Sequence, residues 1–317
     1  MPVRPMQRLL LTGTTGQVGF ELQRALAPLG QVVCATRDGH LPGGATCERL
    51  NLAEPASIAP LLDRLQPRVV VNPAAYTAVD RAQSEPALAA AINVEAVAQL
   101  AQWCAANNAL LIHYSTDYVF NGDASVPWSE DAATAPLGIY GETKRDGELA
   151  IRASGARHLI LRTAWVYAAR GSNFLRSMLR LAGERDEVRV VADQLGAPTP
   201  ARWIAAATAA LLAKLTDREP QASELGTFHL SAAGHTTWHG FAEAIMLRAQ
   251  SAGLISQLPQ VTPISTADYP TPARRPAYSQ LDNSRLRAVY AIGLPDWQLG
   301  LDQVIGELVI ASPIRPV

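Results

Sequence analysis

The 317-residue chain has only three cysteines, Cys34, Cys47 and Cys104, an odd number without metal-like spacing. That count argues against a disulfide framework. Charge of one sign is also missing: 27 Lys and Arg against 28 Asp and Glu give a formal net charge of −1. The arginines are scattered, so neither a nucleic acid nor a membrane surface is expected as partner. No apolar run is long enough to span a bilayer, and residues 1–8 lack a signal-peptide core. A reducing cytoplasm is the expected home. The six histidines are isolated. His113 lies in an apolar run and reads as a satisfied core residue. His235 and His239 are four apart with no third ligand near, so no metal site is expected. Internal repeats, low-complexity tracts and Ser/Gly-rich linkers are absent too.

What is present is an ordinary globular composition, 48% hydrophobic and 17% charged, in a chain long enough to bury a large core. Strand-like apolar runs at Leu9–Leu11, Gln31–Ala35, Val69–Asn72, Leu110–Tyr114 and Leu159–Arg162 alternate with helical patterns such as Ile58–Leu65 and Ala87–Ala106. This alternation predicts an α/β fold, a doubly wound parallel sheet of Rossmann type. The pattern changes after about residue 168, giving a dinucleotide-binding domain over 1–167 and a smaller C-terminal substrate-binding region over 168–317. The boundary is soft, and strands of the second part can insert into the main sheet. Ligands of such sheets sit beyond the carboxyl ends of the strands.

The first of those ends carries Gly13-Thr-Thr-Gly16-Gln-Val-Gly19, between an apolar strand and the helical pattern Phe20–Ala27. A strand, a glycine-rich turn and a helix bring backbone N–H groups and a positive dipole end close to a pyrophosphate. The spacing is GxxGxxG rather than GxGxxG. A tight strand-to-helix turn also needs glycine without any phosphate.

Further along, Tyr140-Gly-Glu-Thr-Lys144 places a phenol and an ammonium on one face of a helix, one turn apart. A nearby cation would lower the tyrosine pKa from about 10 toward the working range. Ser115 and Thr116 follow directly on the fourth strand-like run, at its carboxyl end, where a hydroxyl can orient a carbonyl oxygen or merely cap the loop. Together Tyr140, Lys144 and Thr116 suit hydride transfer to a ketone, with Tyr140 as proton donor and Thr116 orienting the oxygen.

The segments GTTGQVGFELQ, NPAAYTAVDRAQSEP, HYSTDYVFNG, PLGIYGETKRDGE, LRTAWVYA, DQLGAPTP and YPTPARRPAYSQLDNSRL follow in order over nearly the whole chain. In them the chain resembles the extended short-chain dehydrogenases/reductases, and within these the dTDP-4-dehydrorhamnose reductases. The resemblance implies reduction of the 4-keto group of a dTDP-bound deoxyhexulose by NADPH or NADH. It implies Thr116, Tyr140 and Lys144 as the catalytic set, with Lys144 also holding the nicotinamide ribose. Thr116, Asp117, Tyr118 and Trp165 are implied to hold the sugar. Gly13, Gly16, Gln17, Val18 and Gly19 would contact the pyrophosphate, and Ala74, Ala75 and Tyr76 the nicotinamide side. Asn93 falls near the superfamily's asparagine position. Arg37, at the end of the second strand, suits a 2′-phosphate and favours NADPH, whereas the adjacent Asp38 suits NADH.

Pro73 departs from the alanine usual in the family and removes a backbone N–H. Some relatives form dimers through Mg²⁺ held by glutamates. Glu21 and Glu307 match two of those positions, but Arg202 stands at the third, which argues for a homodimer without metal, if one forms, and for a salt bridge in its place. Three rivals share the fold. A 4,6-dehydratase needs Asp followed by Glu where this chain has Asp117-Tyr118. An epimerase would show no net redox change. A non-catalytic NADP-binding regulatory subunit would not need the Thr116, Tyr140 and Lys144 set.

Overall fold

The structure, a computed structural model, describes residues 7–215 and 218–311. Residues 1–6, most of the segment judged to lack a signal-peptide core, lie outside the described residues. Among the described residues seven strands form the main sheet, all parallel. They are β1 (Arg8–Leu11), β2 (Gln31–Thr36), β3 (Glu48–Arg49), β4 (Val69–Asn72), β5 (Leu110–Thr116), β6 (Arg157–Thr163) and a last strand, Gly226–His229. The spatial order is β3, β2, β1, β4, β5, β6, then Gly226–His229. It reverses direction between β1 and β4, the switch point at which doubly wound sheets open a ligand crevice.

Alternate side chains explain why these strands read as unbroken apolar runs. Leu9, Leu11, Val69, Val71, Leu110, Ile112, Leu159 and Leu161 pack with α1 (Gln17–Leu26) and the helix Ala201–Leu215. Leu10, Val70, Leu111 and Ile160 pack on the opposite face with α2 (Ile58–Leu65) and the helix Ala96–Ala106. Both faces are therefore covered, as the doubly wound expectation requires.

Two local differences from the sequence pattern matter for the site. β5 runs two residues beyond Tyr114, so Thr116 ends a strand instead of opening a loop. The expected helix over 87–106 is interrupted by a π-helical turn at Ala91–Glu95. There the buried Asn93 accepts from the Tyr76 N–H (2.9 Å) and donates to the Tyr76 carbonyl (3.1 Å) and Thr143 Oγ1 (3.1 Å). Its own carbonyl faces Gly147, where a Cβ would come within 2.2 Å. Amphipathic spacing does not encode such a wide turn, which commonly marks functional sites.

Beyond Tyr167 the helices Phe174–Ala182, Trp238–Ser251 and Trp297–Ala311 build another core around Phe241 and Leu301. Between the first and second of these helices the chain returns to the main sheet, where Gly226–His229 pairs with β6. No helix among the described residues is long and apolar enough to cross a membrane.

Candidate active site

A cleft of about 580 Å³ lies over the carboxyl ends of β1, β4, β5 and β6. Gly13, Gly16, Gln17, Val18 and Gly19 line one side of it. Gly16 caps α1 with extended backbone, and no side chain occupies the cap. The first amides of α1 therefore have no intrahelical acceptor and sit at the positive end of the helix. The three glycines differ in purpose. Gly13 has φ +56°, and a Cβ there would lie 2.8 Å from Ala74 Cα. A Cβ on Gly19 would lie 2.1 Å from the Gly13 carbonyl oxygen. Both are demanded by the turn itself. A Cβ on Gly16 meets only that oxygen, at 3.2 Å, and otherwise open space. Free amides behind an open glycine fit a pyrophosphate.

Pro73, Ala74, Ala75 and Thr77 form the neighbouring wall. Tyr76 does not line the cleft, contrary to what the resemblance implies. Its backbone is held by Asn93, and its hydroxyl donates to Glu85 Oε2 at 2.6 Å. Arg37 and Asp38 are exposed just past β2. The Asp38 carboxylate is folded back on Thr36 Oγ1 (3.0 Å) and the His40 N–H (3.2 Å).

Thr116, Tyr140 and Lys144 line the same cleft. The helix Ile139–Ala153 starts one residue before Tyr140 and carries Lys144 a turn later. Both groups are shifted, the half-buried Tyr140 and the buried Lys144. Burial pushes the Tyr140 phenol up to about 12; a hydrogen bond with Thr116 opposes this and the Asp117 charge adds to it. Burial also lowers Lys144 to about 8, with Glu148 opposing. The expected depression of the Tyr140 pKa by Lys144 is therefore not found. Desolvation outweighs it, and the ammonium is directed instead to the Tyr114 carbonyl (2.7 Å) and His113 Nε2 (3.1 Å).

Thr116 both caps and faces the cleft. Its Oγ1 accepts from the Tyr118 N–H (3.1 Å) and donates to Asp117 Oδ1 (2.9 Å). Asp117 is 2% exposed, and burial raises its pKa to about 6, with Ser279 and Thr116 hydrogen bonds opposing. The Ser279 hydroxyl is itself within 3.2 Å of the Leu195 carbonyl, and Asp117 Oδ2 has no well-formed partner among the described residues. Thr163 Oγ1, also on the cleft wall, is likewise unpartnered. Such buried, unsatisfied atoms suit a polyhydroxylated ligand.

The far wall is aromatic. The rings of Trp165 and Trp238 stack with centroids 3.6 Å apart and planes 6° apart. Trp165 has φ +47°, an uncommon conformation for a bulky residue. Its ring lies so near Gly196 that a Cβ there would come within 2.4 Å, the physical reason for glycine in that segment. Tyr118 meets Tyr140 edge-on at 5.5 Å. Ser172, Asn173 and Trp238 also line the cleft without having been singled out from the sequence. Asn173 had a local signal as the N-cap of Phe174–Ala182. It also donates to Gln17 Oε1 at 2.8 Å, tying the second half of the chain to the glycine turn.

Known proteins resemble this chain along nearly its whole length. The family model described as RmlD substrate binding domain matches residues 6–310. A dTDP-4-dehydrorhamnose reductase of Burkholderia thailandensis is 46% identical over 95% of this chain and 99% of its own. That of Escherichia coli K12 is 44% identical over 96% and 99%. Among solved structures, a dTDP-4-dehydrorhamnose reductase of Bacillus anthracis in complex with NADP superposes with a TM-score of 0.83 at 32% identity. It covers 95% of this chain and 99% of that one. With the family model spanning both halves and such identity sustained along them, the chain belongs to the RmlD family of dTDP-4-dehydrorhamnose reductases, within the extended short-chain dehydrogenases/reductases.

Proposed function

We propose that the cleft reduces the 4-keto group of dTDP-4-dehydro-L-rhamnose to give dTDP-L-rhamnose. Membership in the family makes the chain an NAD(P)H-dependent oxidoreductase of nucleotide-sugar synthesis. The observation that carries the residue assignment is the meeting of Thr116, Tyr140 and Lys144 with the glycine turn in one cleft. A pyrophosphate would rest on the amides of Gln17, Val18 and Gly19, with Ala74 and Ala75 beside the nicotinamide. The reduced nicotinamide, when bound, supplies the hydride.

Tyr140 holds the proton that the ketone oxygen receives. Its raised pKa serves this direction, because a donor must arrive at the reaction protonated. Thr116 orients the oxygen once its hydrogen turns from Asp117 toward the cleft. The Lys144 ammonium favours the phenolate left after transfer. Asp117, Tyr118 and Trp165 hold the sugar, and the region 168–317 shapes the substrate side. Arg37 favours NADPH through its 2′-phosphate, since Asp38 is turned into its own loop. Cytoplasmic location and a metal-free homodimer complete the reading.

The deciding assay follows loss of NADPH absorbance with enzymatically generated dTDP-4-dehydro-L-rhamnose, identifying the product by NMR. Stoichiometric oxidation with formation of dTDP-L-rhamnose is expected. Interconversion of sugars without oxidation would make the protein an epimerase instead. A kcat/KM favouring NADH strongly over NADPH would refute the role of Arg37.

A further inference from the structure

Lys144 is held from inside the protein by a row of uncharged side chains. His113 Nε2 is 3.1 Å from its Nζ, and His113 Nδ1 is 3.1 Å from the Asn72 amide nitrogen Nδ2. The Thr12 hydroxyl in turn donates to Asn72 Oδ1 at 2.6 Å. All four residues are buried, and the row crosses β5, β4 and the end of β1. Packing alone does not call for it, since this face of the sheet otherwise carries Leu10, Val70, Leu111 and Ile160.

Counting protons gives the row a direction. An ammonium donates and never accepts, so facing it His113 Nε2 must be bare. The ring is then neutral with its proton on Nδ1. Asn72 answers by a half-turn of its amide from the orientation just described, an exchange of two atoms of nearly equal size, which brings its carbonyl oxygen to Nδ1 and its NH₂ to Thr12 Oγ1. The reverse direction, with Thr12 donating to Asn72, Asn72 to Nδ1 and Nε2–H to Nζ, fits only an uncharged amine. The tautomer of His113 and the charge of Lys144 are thereby linked.

We propose that His113 is a positioning residue, whose neutral Nδ1–H imidazole, aligned by Asn72 and Thr12, holds the Lys144 ammonium with one hydrogen left for the cleft. The other two hydrogens go to His113 and the Tyr114 carbonyl. This rests on the reading of Lys144 as part of the reductase site. Burial, and then the Lys144 charge, lowers the His113 pKa well below the usual value, keeping the ring neutral. The other titratable groups around the pair are few. Tyr140 and Glu148 lie on the same helix, Glu148 being paired with Arg162 of β6 at 2.7 Å. Asp117 follows β5. Helix Ala96–Ala106 has no charged residue, and Asp80 of Val79–Ala82 is paired with Arg275 at 2.8 Å.

Nitrogen-15 NMR of the unmutated, histidine-labelled protein tests the tautomer without any substitution. A neutral Nδ1–H ring at His113 is expected across pH 6–7.5, and an Nε2–H or doubly protonated ring there would overturn the proposal. The kinetic arm compares His113→Gln, which retains an acceptor near the position of Nε2, with His113→Leu, which does not. We expect His113→Leu to lose about 10-fold or more in kcat and to move the alkaline limb of its pH–rate profile about one unit lower, as loss of one charge-assisted hydrogen bond implies. His113→Gln should keep the wild-type limb. Equal losses in both folded variants with superimposable profiles would reduce His113 to packing. If the wild type itself turns over no keto sugar, the reductase reading fails, while the NMR result still decides the tautomer.

Discussion

Asp117 Oδ1 takes the hydroxyl hydrogen of Thr116 at 2.9 Å, while Asp117 Oδ2 stays buried without a well-formed partner. The carboxylate therefore costs stability in exchange for an acceptor on the cleft wall. Its folded pKa of about 6 exceeds the ordinary 3.8, so the folded state binds the extra proton between those values. Stability falls as pH rises through that window. Asp117→Asn removes the penalty, and its melting temperature at pH 7.5 should exceed the wild type's by a few degrees, with a flatter profile between pH 4 and 6. Turnover should fall. A variant that melts lower than wild type at pH 7.5 would show that the charge is compensated.

Tyr140→Phe should lower kcat by about 10²- to 10⁴-fold, the range for losing a general acid, while dinucleotide affinity changes little. Near-wild-type turnover in the purified variant would rule out the phenol as proton donor.

The pH dependence separates Tyr140 from Lys144. Reduction needs a phenol and an ammonium, and Lys144, at about 8, loses its charge well before Tyr140, at about 12, loses its proton. For the free enzyme kcat/KM should thus decline above a pH of about 8. A profile flat up to pH 10 would deny the ammonium a part in the reaction.

The glycine turn makes an opposed pair of predictions. Gly19→Ala forces a Cβ to 2.1 Å from the Gly13 carbonyl oxygen, so thermal melting should drop by several degrees. Gly16→Ala keeps an allowed extended backbone and meets that oxygen at 3.2 Å. It should fold nearly as well yet weaken NADPH, measured by calorimetry, by about 10-fold or more, because the methyl occupies the space before the free amides. Unchanged NADPH affinity in Gly16→Ala would mean that the pyrophosphate does not approach this face.

The parts of the fold legible beforehand were those in which one local pattern decides the outcome. Leu9–Leu11 and Val69–Asn72 are buried on both sides and look it; Tyr140 and Lys144 needed only the helical repeat to share a face. The π turn at Ala91–Glu95 was not legible, because it depends on Asn93 reaching Tyr76 and on the missing Cβ of Gly147, far apart in sequence. Trp238 stacks on Trp165 across more than seventy residues, with no local mark on either. The Tyr140 pKa went the other way for a similar reason. Spacing reveals that a lysine is near but neither how much water burial removes nor that His113 and Tyr114 claim the ammonium.

Arg202 stands between two carboxylates, with Nη1 at 2.5 Å from Glu307 Oε1 and Nε at 3.9 Å from Glu21 Oε2. The three residues come from the helices Ala201–Leu215, Trp297–Ala311 and α1, so the cluster joins the last helix to the one that begins at the glycine turn. Burial raises the Glu21 pKa, Arg202 opposes the rise and Glu307 adds to it. The guanidinium thus supplies the positive charge that a cation would, and cannot itself ligate one. EDTA should leave melting temperature and elution volume unchanged. Arg202→Glu gathers three carboxylates and leaves only Arg24 and Arg170 acting on Glu21; it should melt several degrees lower in EDTA and recover in millimolar Mg²⁺, the oxygen-ligated ion such a cluster suits. Wild-type protein that loses stability or dissociates in EDTA would show that a metal is held there despite the arginine.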